Sequence, residues 1–570
     1  MEIPLYSQLR HAYHNLSPLE LVVFSVLVVL VTLGGMGLLN QLQDNASTVI
    51  PTRGGHYHEG IVGFPQYINP VLARSDADRD LSALVHAGLT KLTTSGDITL
   101  DLAEAMEVSE NGETYTFTIR DDAVFHDGQP VTAEDIAFTI SLIQDPVVNS
   151  PQQSDWNSIS VEVIDDKTVA FNLSQPFTSF PYTARIGILP AHLWENETIS
   201  SISFSSLNVR PVGAGPYQVA DIIRNEEGIP NRYDLTAAET YHSTPYIKRV
   251  SLSFFTDANA VTDAFRSEDI DGFYGADPHA VDELNTNNTQ IVSKSLNRVF
   301  AIYYNQNNNE VLVEADLRRA LDSVIPRREI IQEALYGYGK PLDGPLPSIR
   351  PAEEVSSSTI RAARETLTTA GWEESGDTRV NEDGETLSIE LTTAAIPALQ
   401  ETANRIAESW EDIGVSVTVT TLPVNELTQS IIRPRDYEAL LFGQVINQSG
   451  DLYPFWHSSG QDDPGLNLAI YTNSSIDDAL SQWRVATSTV VRDNLQSEIT
   501  ETITDDQPAS FVYSPSFIYI LPDNIRNAAI PPITTPSDRF ARITDWHTST
   551  TKLWNIFLDD DQTNAEKASR

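Results

Sequence analysis

Residues 97–143, DITLDLAEAMEVSENGETYTFTIRDDAVFHDGQPVTAEDIAFTISLI, leave the chain little choice of local structure. Tyr115, Phe117 and Ile119 alternate with Thr114, Thr116 and Thr118, a period of two that builds a strand with one apolar face. Asp121-Asp122 and Asp127-Gly128 supply turn chemistry on either side of the short extended piece Val124-Phe125-His126. Thr132 then stands where a helix N-cap belongs, with Asp135 in the capping-box position. Behind it Ile136, Ile140 and Ile143 recur at helical spacing. The pattern predicts a meander feeding a capped helix.

The same residues, in the order G-x-x-Y-x-F-x-x-R (112–120) and F-H-D-G-x-P-x-T-A-E-D-I (125–136), resemble the signature of the extracytoplasmic solute-binding proteins of family 5. These are peptide-, nickel- and oligosaccharide-binding receptors of ABC importers. The signature residues are read as determinants of the fold rather than as ligand contacts. Further segments are similar to the family: the opening strand and N-P loop at 60–92, RPVGAGPYQV at 210–219, the segment around Ser267-Glu268, and the helices about Arg318, Arg327 and 362–372. One departure is Pro326, where the family carries an Asp before the Arg. The resemblance implies an α/β fold of the periplasmic-binding-protein-like type II, with two lobes joined by a hinge and an extra subdomain in the first lobe. On that pattern residues 56–89, 210–298 and 525–570 make lobe I, 90–209 its extra subdomain and 299–524 lobe II. Residues 509–521 read as a strand pair crossing back to the first lobe.

A length of 570 residues is too much for one core and suggests two or three domains. The charge is unusual: 36 basic residues, only 7 of them Lys, stand against 79 acidic ones for a formal net of −43. Little is left to offset phosphate, which argues against nucleic acid or anionic lipid as partners. A solvated coat suited to high ionic strength, attraction for cationic solutes and simple solubility all remain open readings. Cys is absent, so there is no disulfide, no thiolate chemistry and no lipid-bearing Cys to hold the chain at a membrane.

Another anchor stands near the start. Residues 21–39 (LVVFSVLVVLVTLGGMGLL) carry no charge over 19 residues, about 28 Å as a helix. A cleavable signal peptide is the competing reading. The run is longer than a signal's usual apolar core, only Arg10 precedes it, and Asn40-Gln41-Leu42-Gln43 is no small-residue cleavage site. We therefore expect a membrane anchor at 19–40, a cytoplasmic segment at 1–18 and a tether at 41–55. The family resemblance places the large domain outside the cytoplasm.

Ligand specificity is expected at 435–458, where the resemblance implies a strand ending at the cleft between the lobes. Peptide-binding relatives carry an Asp just after this strand that pairs with the peptide's amino terminus. One register puts Gln448 there, beside Asn447; a shift of three makes Asp451 the anchor. A neutral amide lacks the charge-assisted strength of a carboxylate. Trp456 and Tyr274 are candidate cleft aromatics, and aromatic stacking keeps an oligosaccharide ligand open. Arg74 and Asp76 lie on the loop that approaches the ligand in the resembled family. The resemblance also implies a permease partner.

Other chemistry finds little support. Asp76, Asp78 and Asp80 suggest a calcium loop, but its sixth and twelfth positions hold Leu81 and Ala87 instead of Gly and Glu. The Gly-rich 210–219 segment loses a donor at Pro216 and leads into a strand, which makes a poor phosphate cradle. His56 and His58 with Glu59 lack the further clustered ligands a metal needs. No G-x-S-x-G, H-E-x-x-H, P-loop or C-x-x-C occurs, so we expect no enzyme and no cofactor. A surface hydrolase using unrecognised carboxylates and a non-transporting sensor are the remaining alternatives. Asp559–Asp561 reads as a solvated acidic run.

Overall fold

The computed structural model describes residues 17–195, 197–281, 284, 288–347 and 355–554. The expected cytoplasmic segment up to Leu16 and the acidic run at 559–561 lie outside them. Two compact units divide the chain, one made of its two ends and the other of Gly54–Trp546.

In the first unit, Pro18–Ala46 is helical, with side chains described at 18–20 and 22–34. No helix among the described residues is long and apolar enough to cross a membrane. The expected tether at 41–55 is instead regular backbone. The helix runs through Ala46, and Ser47–Thr52 pairs antiparallel with Ser549–Trp554. Thr, Val and Ile in these two stretches favour extended backbone over irregular linker. The strand at 549–554 therefore belongs with the chain's start rather than with lobe I.

The second unit is an α/β body built on one large sheet. Its strands run in the order Ser416–Leu422, Ser388–Ala394, Ala439–Val445, Arg298–Tyr304, Ala509–Pro522, Gly272–Tyr274, Gly54–Val62, Ile247–Phe255, Pro230–Ala237 and Tyr217–Arg224. Residues 509–521 were expected as a strand pair and instead belong to one strand of 14 residues, Ala509–Pro522. Residues from Ala509 to Tyr513 pair with Arg298–Tyr304; beyond Pro515 the strand pairs with Thr289–Ser295 and Gly272–Tyr274. Its two halves enter different cores. Phe511 and Val512 pack with the hydrophobic cluster spanning residues 299–513, whereas Phe517, Tyr519 and Leu521 pack with Tyr57, Val250 and Trp546. The lobes are thus joined where two chain segments cross, at 295–298 and 513–516. Ser514 Oγ donates to Leu296 O (2.7 Å) and Leu296 N–H to Pro515 O (3.0 Å), which ties the crossings together.

A third core fills the extra subdomain. The four-stranded sheet there includes Thr114–Ile119, whose Tyr115, Phe117 and Ile119 are all buried, as the alternation predicted. Phe117 meets Phe171 edge-on with centroids 5.7 Å apart, and Trp156 meets Phe180 at 5.8 Å. The helix Ala133–Gln144 packs Ile136, Ile140 and Ile143 inward. Asp135 accepts from both the N–H and the hydroxyl of Thr132 at 2.8 Å, which closes its N-terminus.

The Gly-rich loop at 210–219 has a structural task. Gly215 N–H donates to Val85 O (2.8 Å) at the end of the helix Asp76–Val85. Gly213 N–H donates to His126 Nδ1 (3.3 Å), which leaves His126 Nε2–H to donate to Gly215 O (2.9 Å). Burial holds that imidazole below its ordinary pKa, in keeping with a neutral ring. His126, the centre of the F-H-D-G signature, is therefore a clamp between subdomain and lobe. A Cβ on Gly213 would stand 2.1 Å from Val85 O. Gly213→Ala is expected to cost about 1–3 kcal/mol or more, because backbone rather than a flexible side chain must yield. Urea unfolding checks this; a variant within about 0.5 kcal/mol of the parent would refute the tight approach.

Candidate functional site

The helix Asp76–Val85 begins with Ser75 as N-cap and Asp78 completing a capping box. Asp78 also accepts from Gln66 N–H (2.6 Å) and Tyr67 N–H (2.8 Å), fixing the preceding loop. Two faces follow from the helical repeat. Ala77, Leu81, Leu84 and Val85 are in the core, while Arg79, Ser82, Ala83 and His86, at spacings of three and four, line a cavity of about 590 Å³.

That cavity lies between the lobes. The first lobe contributes this helix face, the segment Thr534-Thr535 with Ser537, and Asp155, Tyr182 and Arg185 of the subdomain. The second lobe contributes Asn447, Gln448, Ser449 and Asp451, just beyond the strand Ala439–Val445, and Arg484 from the helix Ser474–Val485. The walls touch directly. Gln448 Oε1 accepts from Thr534 Oγ1 (2.6 Å) and from Asn297 Nδ2 (3.1 Å), the latter at a lobe crossing. Thr178 N–H of the subdomain donates to Arg484 O (3.2 Å).

Asp451 is 2% exposed, and both its carboxylate oxygens are occupied. Oδ2 accepts from Arg484 Nη2 (2.7 Å) and Nε (2.9 Å), and Oδ1 accepts from Tyr453 N–H (3.0 Å). Asn447 Oδ1 accepts from Asp451 N–H (3.0 Å), which fixes the loop. His86 is pushed down to about 4 by burial and is neutral at physiological pH. Its two ring nitrogens face Ile188 O and Ile68 O at 3.4 Å, so it serves as a wall rather than a titrating group.

The cavity therefore brings together three of the sequence-predicted residues: Asn447, Gln448 and Asp451. Four others are placed elsewhere. Trp456 is 2% exposed, with its ring against Tyr303, Tyr471 and Phe511; as an aromatic next to an apolar core it was claimed by packing. Tyr274 stacks on Phe517 (5.7 Å) beneath the Arg539 guanidinium (4.3 Å). Arg74 reaches Asn149 O, and Asp76 pairs with Arg79 (3.3 Å) outside the lining. Sequence reasoning missed Arg79, Arg185, Asp155 and Arg484. For the three arginines the available signal was the scarcity of cations in so acidic a chain; for Asp155, one of 79 acidic residues, there was none.

The model of the bacterial extracellular solute-binding proteins, family 5, middle region, matches residues 97–464, more than half of the chain. The chain belongs to this family. Among its relatives is the oligopeptide-binding protein AppA of Bacillus subtilis, 26% identical over 491 residues, covering 83% of this chain and 89% of AppA. The structure of that AppA in complex with a nonapeptide superposes with a TM-score of 0.65 at 24% identity, over 88% of this chain and all of the other. NikZ from Campylobacter jejuni, in complex with Ni(L-His), superposes with a TM-score of 0.67 at 21% identity, over 86% and 99%. The fold is the α/β periplasmic-binding-protein type II, and members of family 5 bind solutes rather than catalyse reactions.

In this family 5 protein the cavity wall is held from behind by one buried cation. Arg539 is fully buried; it donates to both oxygens of Asp80 (2.7 Å each), to Glu59 Oε1 (2.9 Å from Nε) and to Pro536 O (2.7 Å). Tyr519 Oη donates to Glu59 Oε2 (2.7 Å). The three aspartates that suggested calcium thus have separate tasks, with Asp76 on Arg79, Asp78 at the cap and Asp80 on Arg539. Among the described residues no group of three His, Asp or Glu is arranged to hold a metal ion.

Two carboxylates share one guanidinium here, and burial, with Glu59 as a further cause, raises Asp80 to about 6 despite Arg539. A carboxyl raised in the folded state favours the fold when protonated. Its contribution is complete below about pH 4, its unfolded value, and is lost as pH rises through about 6. We expect the unfolding free energy from urea titration to increase on acidification from pH 7.5 to 5, by about 1.4 kcal/mol from this group. Asp80→Asn should remove that increment. Equal pH slopes in parent and variant would show that Asp80 does not titrate there.

Proposed function

We propose that this chain is the receptor of an ABC importer, held at the membrane through residues 21–39, which captures short peptides by closing its lobes. The observation that carries this reading is the cavity itself. A solute in it has Arg79, Arg185 and Thr534 of one lobe and Gln448 and Ser449 of the other within its walls. Contacts with both lobes exist only when they are together, so binding favours closure by its differential affinity. The crossings at 295–298 and 513–516 are where the backbone would bend.

The lining supports an organic solute with several hydrogen-bonding groups. About 590 Å³ falls within the ~300–1,000 Å³ range of small-ligand pockets. Arg, Asp, Asn, Gln, Ser and Thr all reach the space, alongside the rings of Phe177 and Tyr182. A nonapeptide, as in the AppA complex, spans ~30 Å when extended, which favours a shorter peptide here. His86 is the only imidazole among the described lining residues, and its single N–H has a main-chain carbonyl to meet, Ile188 O or Ile68 O; this favours peptide over a metal–histidine complex. The uncharged run at 21–39, within the helix Pro18–Ala46, supports the anchor, and the family supports a permease partner and an extracytoplasmic domain.

Thermal unfolding of the detergent-solubilised full chain tests the ligand class. Di- to tetrapeptides at 100 times their dissociation constant should add about 2.7 kcal/mol of stability, read as a higher Tm. A shift with oligosaccharides or nickel–histidine but with no peptide would replace the peptide reading. The anchor is tested by fractionation: the full chain should sediment with membranes, and a chain lacking residues 1–46 should not. Recovery of both in the soluble fraction would remove the anchor.

A further inference from the structure

The charges around the cavity are unevenly satisfied. Its lining carries Arg79, Arg185 and Arg484 against Asp155 and Asp451, in a chain where 79 acidic residues outnumber 36 basic ones. Base outnumbers acid in this lining, the reverse of the chain as a whole. Asp451 and Arg484 neutralise each other through two hydrogen bonds to one oxygen (2.7 and 2.9 Å). The Arg484 guanidinium also stacks 4.0 Å over the Tyr453 ring, and its carbonyl receives Thr178 N–H from the opposite wall (3.2 Å). Side chain and backbone of Arg484 are therefore both fixed. With the second Asp451 oxygen taken by Tyr453 N–H, the carboxylate expected to receive a peptide's ammonium is already filled by the chain's own cation.

Arg79 and Arg185 are less fully engaged. Arg79 Nη1 donates to Asp76, and Arg185 Nη1 to Asp538, each at a long 3.3 Å; Arg185 Nε also reaches Tyr182 O at 3.3 Å. Asp76 and Asp538 are not part of the lining, and most donors of a guanidinium fork remain for another acceptor. Both cations belong to the first lobe and face the space in which the solute is expected. Asp155 is the remaining lining carboxylate. It makes no ion pair among the described residues, and desolvation raises its carboxyl, which disfavours the charged form an ammonium would need.

We infer that this receptor holds its solute by a carboxylate, at Arg79 and Arg185, and that the Asp451–Arg484 pair withdraws the solute's ammonium from recognition. The inference rests on the peptide reading above and assigns the end of the peptide that is read. Planar bidentate geometry makes Arg the side chain suited to a carboxylate. Arg484 becomes the specificity-determining residue: it sets which terminus counts without having to touch the solute.

Isothermal titration of the full-length protein in detergent with trialanine, N-acetyl-trialanine and trialanine amide tests this. Amidation should weaken binding roughly tenfold or more, whereas acetylation should change it by less than about threefold. Arg79→Gln should weaken trialanine roughly tenfold and the amide far less. Arg484→Gln should make acetylation costly, because Asp451 is then free to meet an ammonium. If that variant fails to fold, the Arg79→Gln comparison decides alone. A loss dominated by acetylation in the unmodified protein would overturn the inference while keeping the peptide reading. Silence of all three forms would remove the peptide reading and the inference together.

Discussion

The guanidinium of Arg539 is the contact on which the first lobe's share of the site depends. It joins Glu59 on a central strand, Asp80 on the helix Asp76–Val85 and Pro536 O in the segment beside Thr534 and Thr535. The second and third of these carry cavity walls. Asp80 faces inward to Arg539 while Arg79, its neighbour, faces the cavity, so fixing one orients the other. Removing one partner of a buried ion pair costs about 3–5 kcal/mol, largely because a charge is left uncompensated. Here one cation serves two carboxylates, with Tyr519 and the rings of Tyr274 and Phe540 completing its surroundings. The arrangement specifies how helix, strand and loop meet; an apolar core would tolerate sliding.

From that fixed wall the structure reaches its partner wall through the two crossings. The strand Ala509–Pro522 belongs to both cores, so neither lobe can shift without bending it. Asn297, at the other crossing, donates to Gln448 in the cavity and to Thr534 Oγ1 (3.2 Å). A solute that competes for Gln448 therefore acts on a side chain bonded directly to the crossing. Recognition and lobe geometry share the same hydrogen bonds, which is the physical requirement for a ligand to bias one arrangement over another.

Local grammar was the part of the fold that could be read before the structure. Alternation at 114–119 and helical spacing at 136–143 are properties of neighbouring residues, and each placed its side chains correctly. Of the cavity lining, only the residues on a loop after a recognisable strand were legible, as at Asn447, Gln448 and Asp451. The family resemblance put Trp456 and Tyr274 near the cleft, but aromatic area is claimed as readily by a core, and both rings pack against one here. Arg484 lies 33 positions from Asp451, on a helix with its own local pattern. Nothing in the spacing announces that pairing, because it is made by tertiary contact alone. The same holds for Arg539, 480 positions from Glu59. The strand at 47–52 was hidden for a related reason: its partner at 549–554 lies at the far end of the chain.

The acidic coat and the buried cations respond differently to salt, and this bears on how such a protein keeps its site intact. A formal charge of −43 repels itself and opposes the compact state. Mobile ions screen that repulsion beyond about 8–10 Å at physiological strength. Arg539 is wholly buried and Asp451 nearly so, and their contacts of 2.7–2.9 Å lie well inside that distance. Added salt therefore relaxes the surface while leaving these pairs largely untouched. Arg79, more exposed and bound to Asp76 at 3.3 Å, sits between the two regimes. Its hold on a solute carboxylate weakens with ionic strength more than the architecture that presents it. Binding by this receptor should thus lose affinity in salt before it loses its fold.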